Sequence, residues 1–242
     1  MVLEAFQFKQ FSVAHDRCAM KVGTDAVLLG AWAPVNPTTK SILDIGAGSG
    51  ILALMLAQRS NANLIDGLEI DVEAYEQCVT NFEESPWADR LFCYHASLKE
   101  YTNEMDIKYD FIISNPPFYN ETYTTNDKSR NTARFEAAMP FNELLKSVRK
   151  LLSKNGKFCV VVPFESEDKL VEMGKENTLF CDKILRVRGK KNSVIKRSLM
   201  AFSFEKNPVK VKEIYLEVKR HVYSLSLIHI SEPTRRYAIS YA

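Results

Sequence analysis

The run Asp44-Ile45-Gly46-Ala47-Gly48-Ser49-Gly50 constrains this chain more than any other feature. It joins a short apolar stretch, Ser41–Ile45, to a helical one, Ile51–Arg59. Glycines packed this closely demand a tight turn and leave bare backbone that a ligand can approach. A strand, a glycine turn and a helix make the opening unit of a parallel α/β sheet. The rest of the chain repeats that alternation. Strands are expected at Asn63–Leu68, Leu91–Tyr94, Phe111–Ser114 and Lys157–Val162, with helices at Val72–Glu83, Phe141–Leu152 and Glu165–Lys175. The apolar run of Phe111–Ser114 predicts burial on both faces. The Asn155-Gly156 pair predicts the stop of the preceding helix. Leu179–Val187 and Ser198–Phe204 read as two last strands, antiparallel across a basic connection at Arg188–Arg197. The expected architecture is therefore α/β, a seven-stranded, mostly parallel sheet with an antiparallel carboxyl-terminal hairpin and helices on both faces.

Composition narrows the setting. The chain has 242 residues, 46% hydrophobic and 26% charged, which suits one α/β domain able to bury a full core. Five scattered cysteines form no C-x-x-C pair and have no histidine at zinc-like spacing, so they read as reduced core thiols and no metal site is expected. Met1–Phe11 lacks the apolar stretch of a signal peptide, and nothing approaches the length of a membrane helix, so a cytoplasmic protein is expected. A net charge of +2 is too small to argue for nucleic-acid binding; only local clustering can do so. Residues 1–35 read as an amino-terminal segment packing on the ligand turn and 36–223 as the main domain. Residues 224–242 resemble translated adaptor sequence and are set aside as a suspected non-native tail.

The turn itself discriminates between ligands. Its spacing is G-x-G-x-G, and Asp44 precedes it. A pyrophosphate favours bare backbone N–H groups at a helix start. A carboxylate at that place suits a ligand that carries an ammonium and a sulfonium, as S-adenosylmethionine does. Glu69 lies 19 residues after Gly50, at the end of the second strand, where an acid can accept from both hydroxyls of a ribose. Ile70 belongs to the same corner. Asp71 reads as the cap of the following helix. Ala96 and Ser97, after the third strand, sit where an adenine would be contacted, and Ser97 reads equally well as a helix cap.

Asn115-Pro116-Pro117-Phe118 follows the fourth strand and so lies at the carboxyl ends of the strands, where ligand sites of α/β sheets form. An aromatic exocyclic amine is a poor nucleophile because its lone pair is delocalised. The Asn115 side-chain oxygen and a neighbouring carbonyl, Ser114 or Pro116, supply two acceptors that draw that lone pair out of the ring. Proline fixes φ and removes donors, which leaves a rigid, acceptor-rich turn. Phe118 offers a face for base stacking. Positioning and preorganised electrostatics would carry the rate, with no strong base required.

These residues, D-x-G-x-G-x-G with Glu69 and N-P-P-F, resemble the Rossmann-like class I methyltransferases that modify amines and amides. The stretch Phe8-Lys9-Gln10-Phe11, followed by His15 through Asp25 (H-D-R-C-A-M-K-V-G-T-D), is closer still. It resembles the bacterial tRNA1(Val) adenine-37 N6-methyltransferase family over about Phe6 to Tyr223. The resemblance implies S-adenosylmethionine as cofactor, a tRNA as partner, and Lys21, Gly23 and Thr24 beside the methionine end of the cofactor. Thr24-Asp25 also reads as the cap of a helix over Ala26–Trp32, and His15 as structural.

Two basic segments would meet RNA. The connection near the hairpin carries Arg188, Lys190, Lys191, Lys196 and Arg197, with Arg186 just before it, and no acid intervenes. A polar stretch at Asn120–Pro140, too long to be a simple connector, carries Lys128, Arg130 and Arg134. With Tyr119 beside Phe118, these fit phosphate contacts plus stacking. Rival acceptors for the same tetrapeptide are N2 of guanine in rRNA, adenine in DNA and a protein glutamine. A nicotinamide oxidoreductase would need G-x-G-x-x-G, and a non-catalytic module leaves N-P-P-F without purpose.

Overall fold

A computed structural model describes residues 5–117, 140–219 and 222–223. Two short strands, β1 (Phe6–Gln7) and β2 (Ser12–Val13), pair with each other, and α1 (Thr24–Trp32) follows. The alternation then runs β3 (Ser41–Ile45), α2 (Ile51–Arg59), β4 (Leu64–Glu69), α3 (Val72–Glu83), β5 (Leu91–His95), α4 (Leu98–Glu104) and β6 (Tyr109–Ser114). After Pro140 come α5 (Phe141–Leu151), β7 (Leu152–Pro163), α6 (Glu167–Glu176), β8 (Phe180–Lys190), β9 (Ile195–Ser203), β10 (Lys210–Lys219) and β11 (Val222–Tyr223).

The main sheet has the order β11-β10-β8-β9-β7-β6-β3-β4-β5. Strands β7, β6, β3, β4 and β5 are parallel, and β9 is antiparallel to both β7 and β8. The expected parallel sheet with its antiparallel hairpin is present. Among the described residues, however, eight full strands and the two-residue β11 replace the expected seven. The extra strands arise because β10 returns parallel to β8 rather than leaving the sheet.

Two apolar layers hold the sheet. One, built on Ile42, Phe111, Ile113, Val161 and Leu199, packs under α1 and α2. The other, built on Leu43, Ile45, Ile112, Val160 and Met200, packs under α5 and α6. Helix α1 is buried nearly all round, from Ala26 to Ala31, as an apolar helix must be.

Three local expectations need correction. The helix over Phe141–Leu151 does not stop at Asn155-Gly156; β7 begins at Leu152 and carries that pair inside it. The strand bulges between Leu152 and Lys157, opposite Tyr109 and Phe111, and the Leu152 side chain folds back onto Gly156, where a Cβ would lie 2.7 Å from it. Helix α4, not predicted, begins at Ser97 with a reciprocal cap: Ser97 Oγ accepts from the Glu100 N–H at 3.2 Å, and the Ser97 N–H donates to Glu100 at 3.0 Å. Thr24 and Asp25 do not cap α1, because the helix already begins at Thr24; Gly23 is its N-cap, without a side-chain bond, and Asp25 pairs with Arg197 at 2.7 Å.

Candidate active site

The carboxyl ends of the parallel strands finish level with one another. Ile45 of β3 lies between Ser114 of β6 and Leu68 of β4, and Leu68 lies beside Tyr94 of β5. One residue further along, Asn115, Gly46, Glu69 and His95 therefore emerge side by side. Ser114, fully buried, fastens this edge by donating its hydroxyl to the Ile45 carbonyl at 2.8 Å.

The glycine turn is shaped for close approach. Gly46, Gly48 and Gly50 have φ of 72°, 55° and 78°, the left-handed region that side chains disfavour. Gly50 is fixed by packing as well, since a Cβ there would lie 2.5 Å from Phe82. Gly46 and Gly48 face open space instead. Glu69, mostly buried, braces the turn: its Oε2 accepts from the Gly48 N–H at 2.8 Å, and its Oε1 accepts from Ile70 and Asp71 at 2.8 and 2.9 Å. Asp71 caps α3 by accepting from the Ala74 N–H at 2.9 Å, as expected.

Asp44 is completely buried. Its Oδ2 accepts from the Ala53 N–H at 3.1 Å, whereas Oδ1 has no hydrogen-bond partner among the described residues. Burial pushes its carboxyl up to about 7, the Ala53 bond opposes that, and nearby Glu69 adds to it. An unpaired buried carboxylate oxygen beside open glycines suits a cationic ligand.

The family model described as the methyltransferase small domain matches residues 19–173. A tRNA1(Val) (adenine(37)-N6)-methyltransferase of Flavobacterium johnsoniae is 55% identical, covering 94% of this chain and 97% of that protein. The proteins of the same name from Bacteroides fragilis and Yersinia enterocolitica are 44% and 40% identical over 93% and 90% of this chain. The chain belongs to that family. It is a methyltransferase. In structure it resembles a predicted O-methyltransferase from Agrobacterium tumefaciens, with a TM-score of 0.68 over 88% of this chain and 98% of that one, at 14% identity. A putative RNA methyltransferase from Pyrococcus horikoshii, 16% identical, aligns over 73% and 79% with a TM-score of 0.52. At such identities the likeness shows the fold.

In this methyltransferase the amino-terminal segment is latched over the glycine turn by α3, through two amides that the sequence reading did not single out. Asn81 accepts from the Ala14 N–H and donates to the carbonyls of Ala14 and Ser49, all within 2.8–2.9 Å. Gln77 accepts from the Arg17 N–H at 2.9 Å and donates to Asp16 at 2.7 Å. His15 is structural, as expected: its Nδ1 accepts from the Val22 N–H at 2.9 Å. Lys21 closes this loop, donating to the His15 and Asp16 carbonyls at 3.0 and 3.2 Å.

The remaining predicted residues divide. Asn115, Pro116 and Pro117 are described, whereas Phe118, Tyr119, Lys128, Arg130 and Arg134 lie outside the described residues. Ile70 is exposed beside Glu69, and Ala96 is joined to the Glu69 carbonyl at 3.1 Å. Ser97 Oγ is engaged with Glu100. The start of β9 pairs with the end of β7, so the β8–β9 hairpin tip rises at the same edge as the site. Lys190, Lys191 and Lys196 are exposed there. Arg188 is paired with Glu213 at 3.1 Å and Arg197 with Asp25 at 2.7 Å, so these two already brace the hairpin. No group of metal-ligating side chains was found among the described residues, and no helix there is long and apolar enough to cross a membrane.

Proposed function

We propose that this methyltransferase uses S-adenosylmethionine to methylate N6 of adenine 37 in tRNA1(Val), in the cytoplasm. The observation that carries the reading is the level row of Asn115, Gly46 and Glu69 at the carboxyl ends of three adjacent parallel strands. On this reading an amine-accepting turn would lie beside a cofactor turn, and the family relationship supports the substrate.

The residues present fit the cofactor. Asp44 Oδ1 suits its ammonium, Gly46 and Gly48 admit it, and Glu69 stands where a ribose would exchange for backbone donors. Lys21, Gly23 and Thr24 would flank the methionine end, with Ile70, Ala96 and Ser97 at the adenine end. When bound, the cofactor supplies an electrophilic methyl group on sulfur. The chain's own part is orientation: Asn115 Oδ1 and a carbonyl of Ser114 or Pro116 accept the two amine hydrogens and hold the nitrogen lone pair outward. Lys190, Lys191 and Lys196 would meet phosphates, as would Lys128, Arg130 and Arg134, while Phe118 and Tyr119 would stack on bases.

The test is tritium transfer from labelled S-adenosylmethionine to tRNA, rRNA, DNA and release-factor protein from a strain lacking the gene. Label should appear in N6-methyladenine of a valine tRNA. Label confined to guanine, DNA or protein would overturn the substrate assignment.

A further inference from the structure

Phe164 is a large aromatic side chain that stands apart from the core. It stands in the single turn Phe164–Ser166 that follows β7, half-buried, and belongs to neither apolar layer among the described residues. Yet its surroundings are tightly determined. The Arg186 guanidinium lies over the ring, 5.4 Å from its centroid. That guanidinium is itself held by Glu167, which accepts from Arg186 Nε at 3.2 Å and from Nη2 at 2.8 Å. Glu167 is only 3% exposed and also accepts the hydroxyl of fully buried Ser198. A buried ion pair is weak evidence for stability, because apolar groups of the same shape often serve as well. Here it fixes the position of a ring that belongs to neither apolar layer.

The register says where the Phe164 backbone sits. Arg186, Ser198 and Val162 form one row across β8, β9 and β7. Val160 pairs with Ser114, the last pair of β7 and β6; continued past it, that register brings Val162 level with Pro116 and the Phe164 backbone just beyond Pro117. Adjacent strands are about 4.8 Å apart, so the Phe164 backbone leaves its strand next to the one that carries the amine-accepting turn.

We propose that Phe164, with Arg186 and Glu167 as positioning residues, is an aromatic wall on which the substrate purine stacks while Asn115 holds its amine. The inference rests on the proposed reading of Asn115 and extends it to the flat side of the acceptor. Stacking on a protein aromatic tolerates any base, so the wall orients the ring and leaves selection of the amine to Asn115.

The experiment uses the full-length enzyme, valine tRNA and an anticodon stem-loop carrying 2-aminopurine at the target position. Phe164→Ala should lower kcat/KM for tRNA roughly ten- to hundred-fold and abolish the quenching of 2-aminopurine on binding, with the affinity for S-adenosylmethionine unchanged. Phe164→Leu keeps apolar bulk and should be equally impaired, whereas Phe164→Trp should restore both quenching and turnover. Arg186→Lys keeps the charge but loses the planar two-point hold on Glu167, and should raise KM more than it lowers kcat. Phe164→Ala or Phe164→Leu acting within twofold of wild type would overturn the wall. If wild-type enzyme methylates a different planar amine, the tRNA reading falls. The same Phe164 variants measured on that acceptor then decide the wall independently.

Discussion

Two of the sheet's three buried aspartates among the described residues, Asp44 and Asp66, have the same chemistry and opposite surroundings. Each leaves Oδ1 without a partner, and burial raises each carboxyl, Asp44 to about 7 and Asp66 to about 6. Asp44 ends β3 among glycines that face open space. Asp66 lies in the first half of β4, where it accepts from the Tyr109 hydroxyl, which in turn meets the Tyr101 hydroxyl of α4. One acid stands beside glycines that face open space; the other is sealed inside a shell of phenols. The carboxyl end of the sheet should therefore govern kinetics and the region beneath α4 stability.

The largest effect tests the kinetic end. Asn115→Ala should reduce kcat by about a hundred- to thousand-fold, the usual loss when one preorganised partner of the transition state is removed. Because Asn115 is only partly buried, stability should stay within about 0.5 kcal/mol of wild type. Single-turnover rates together with calorimetric cofactor titration would check this, and a variant retaining most of its turnover would break the amine-acceptor mechanism. Asp44→Asn comes next. Loss of a charged partner should weaken S-adenosylmethionine binding about ten- to hundred-fold. In wild type, cofactor affinity should rise as pH climbs through about 7 and Asp44 ionises, and the variant should lose that dependence.

Asp66 should respond in stability alone. Its folded pKa is raised above the unfolded value of 3.8, so the folded state holds its proton more tightly. That contribution is fully present below 3.8 and is lost as pH rises through about 6. The difference is on the order of 3 kcal/mol. Denaturant titrations of Asp66→Asn should lose this slope between pH 4 and 7, leaving the variant at least as stable as wild type at pH 8, with kcat unchanged. A variant that kept the wild-type slope would assign the pH dependence to another group.

How much of this was legible follows from the range of each interaction. Helices α2 and α3 and strand β3 were readable to the residue, because periodicity, a glycine turn and the Asp71 cap all act within a few positions. The gathering of Asp44, the glycines, Glu69 and Asn115 at one edge was readable for the same reason, since each stands at or just past the end of a strand. What escaped is long-range or short-lived along the chain. Asn81 and Gln77 reach partners 67 and 60 residues away and leave no local pattern. The parallel return of β10 beside β8 skips β9, which alternation within a strand cannot reveal. The bulge of β7 hides the helix stop behind an Asn-Gly pair that usually marks one. Arg197, read as an RNA contact, pairs with Asp25 from the far end of the sequence.

The smallest effect sharpens the comparison where the two regions meet, at Ser97. Its residue type fits both an adenine contact and a helix cap, and the structure commits the side chain to the cap. Ser97 Oγ accepts from the Glu100 N–H and donates to the Glu100 carboxylate at 2.7 Å. Hydrogen bonding to Ser97 also holds the Glu100 carboxyl below its ordinary value. Ser97→Ala should therefore cost about 1 kcal/mol of stability, the usual loss at an N-cap, with S-adenosylmethionine affinity within twofold of wild type. Urea unfolding and calorimetric titration of the same variant separate the two roles. A weakened cofactor with unchanged stability would move Ser97 out of the scaffold and into the site.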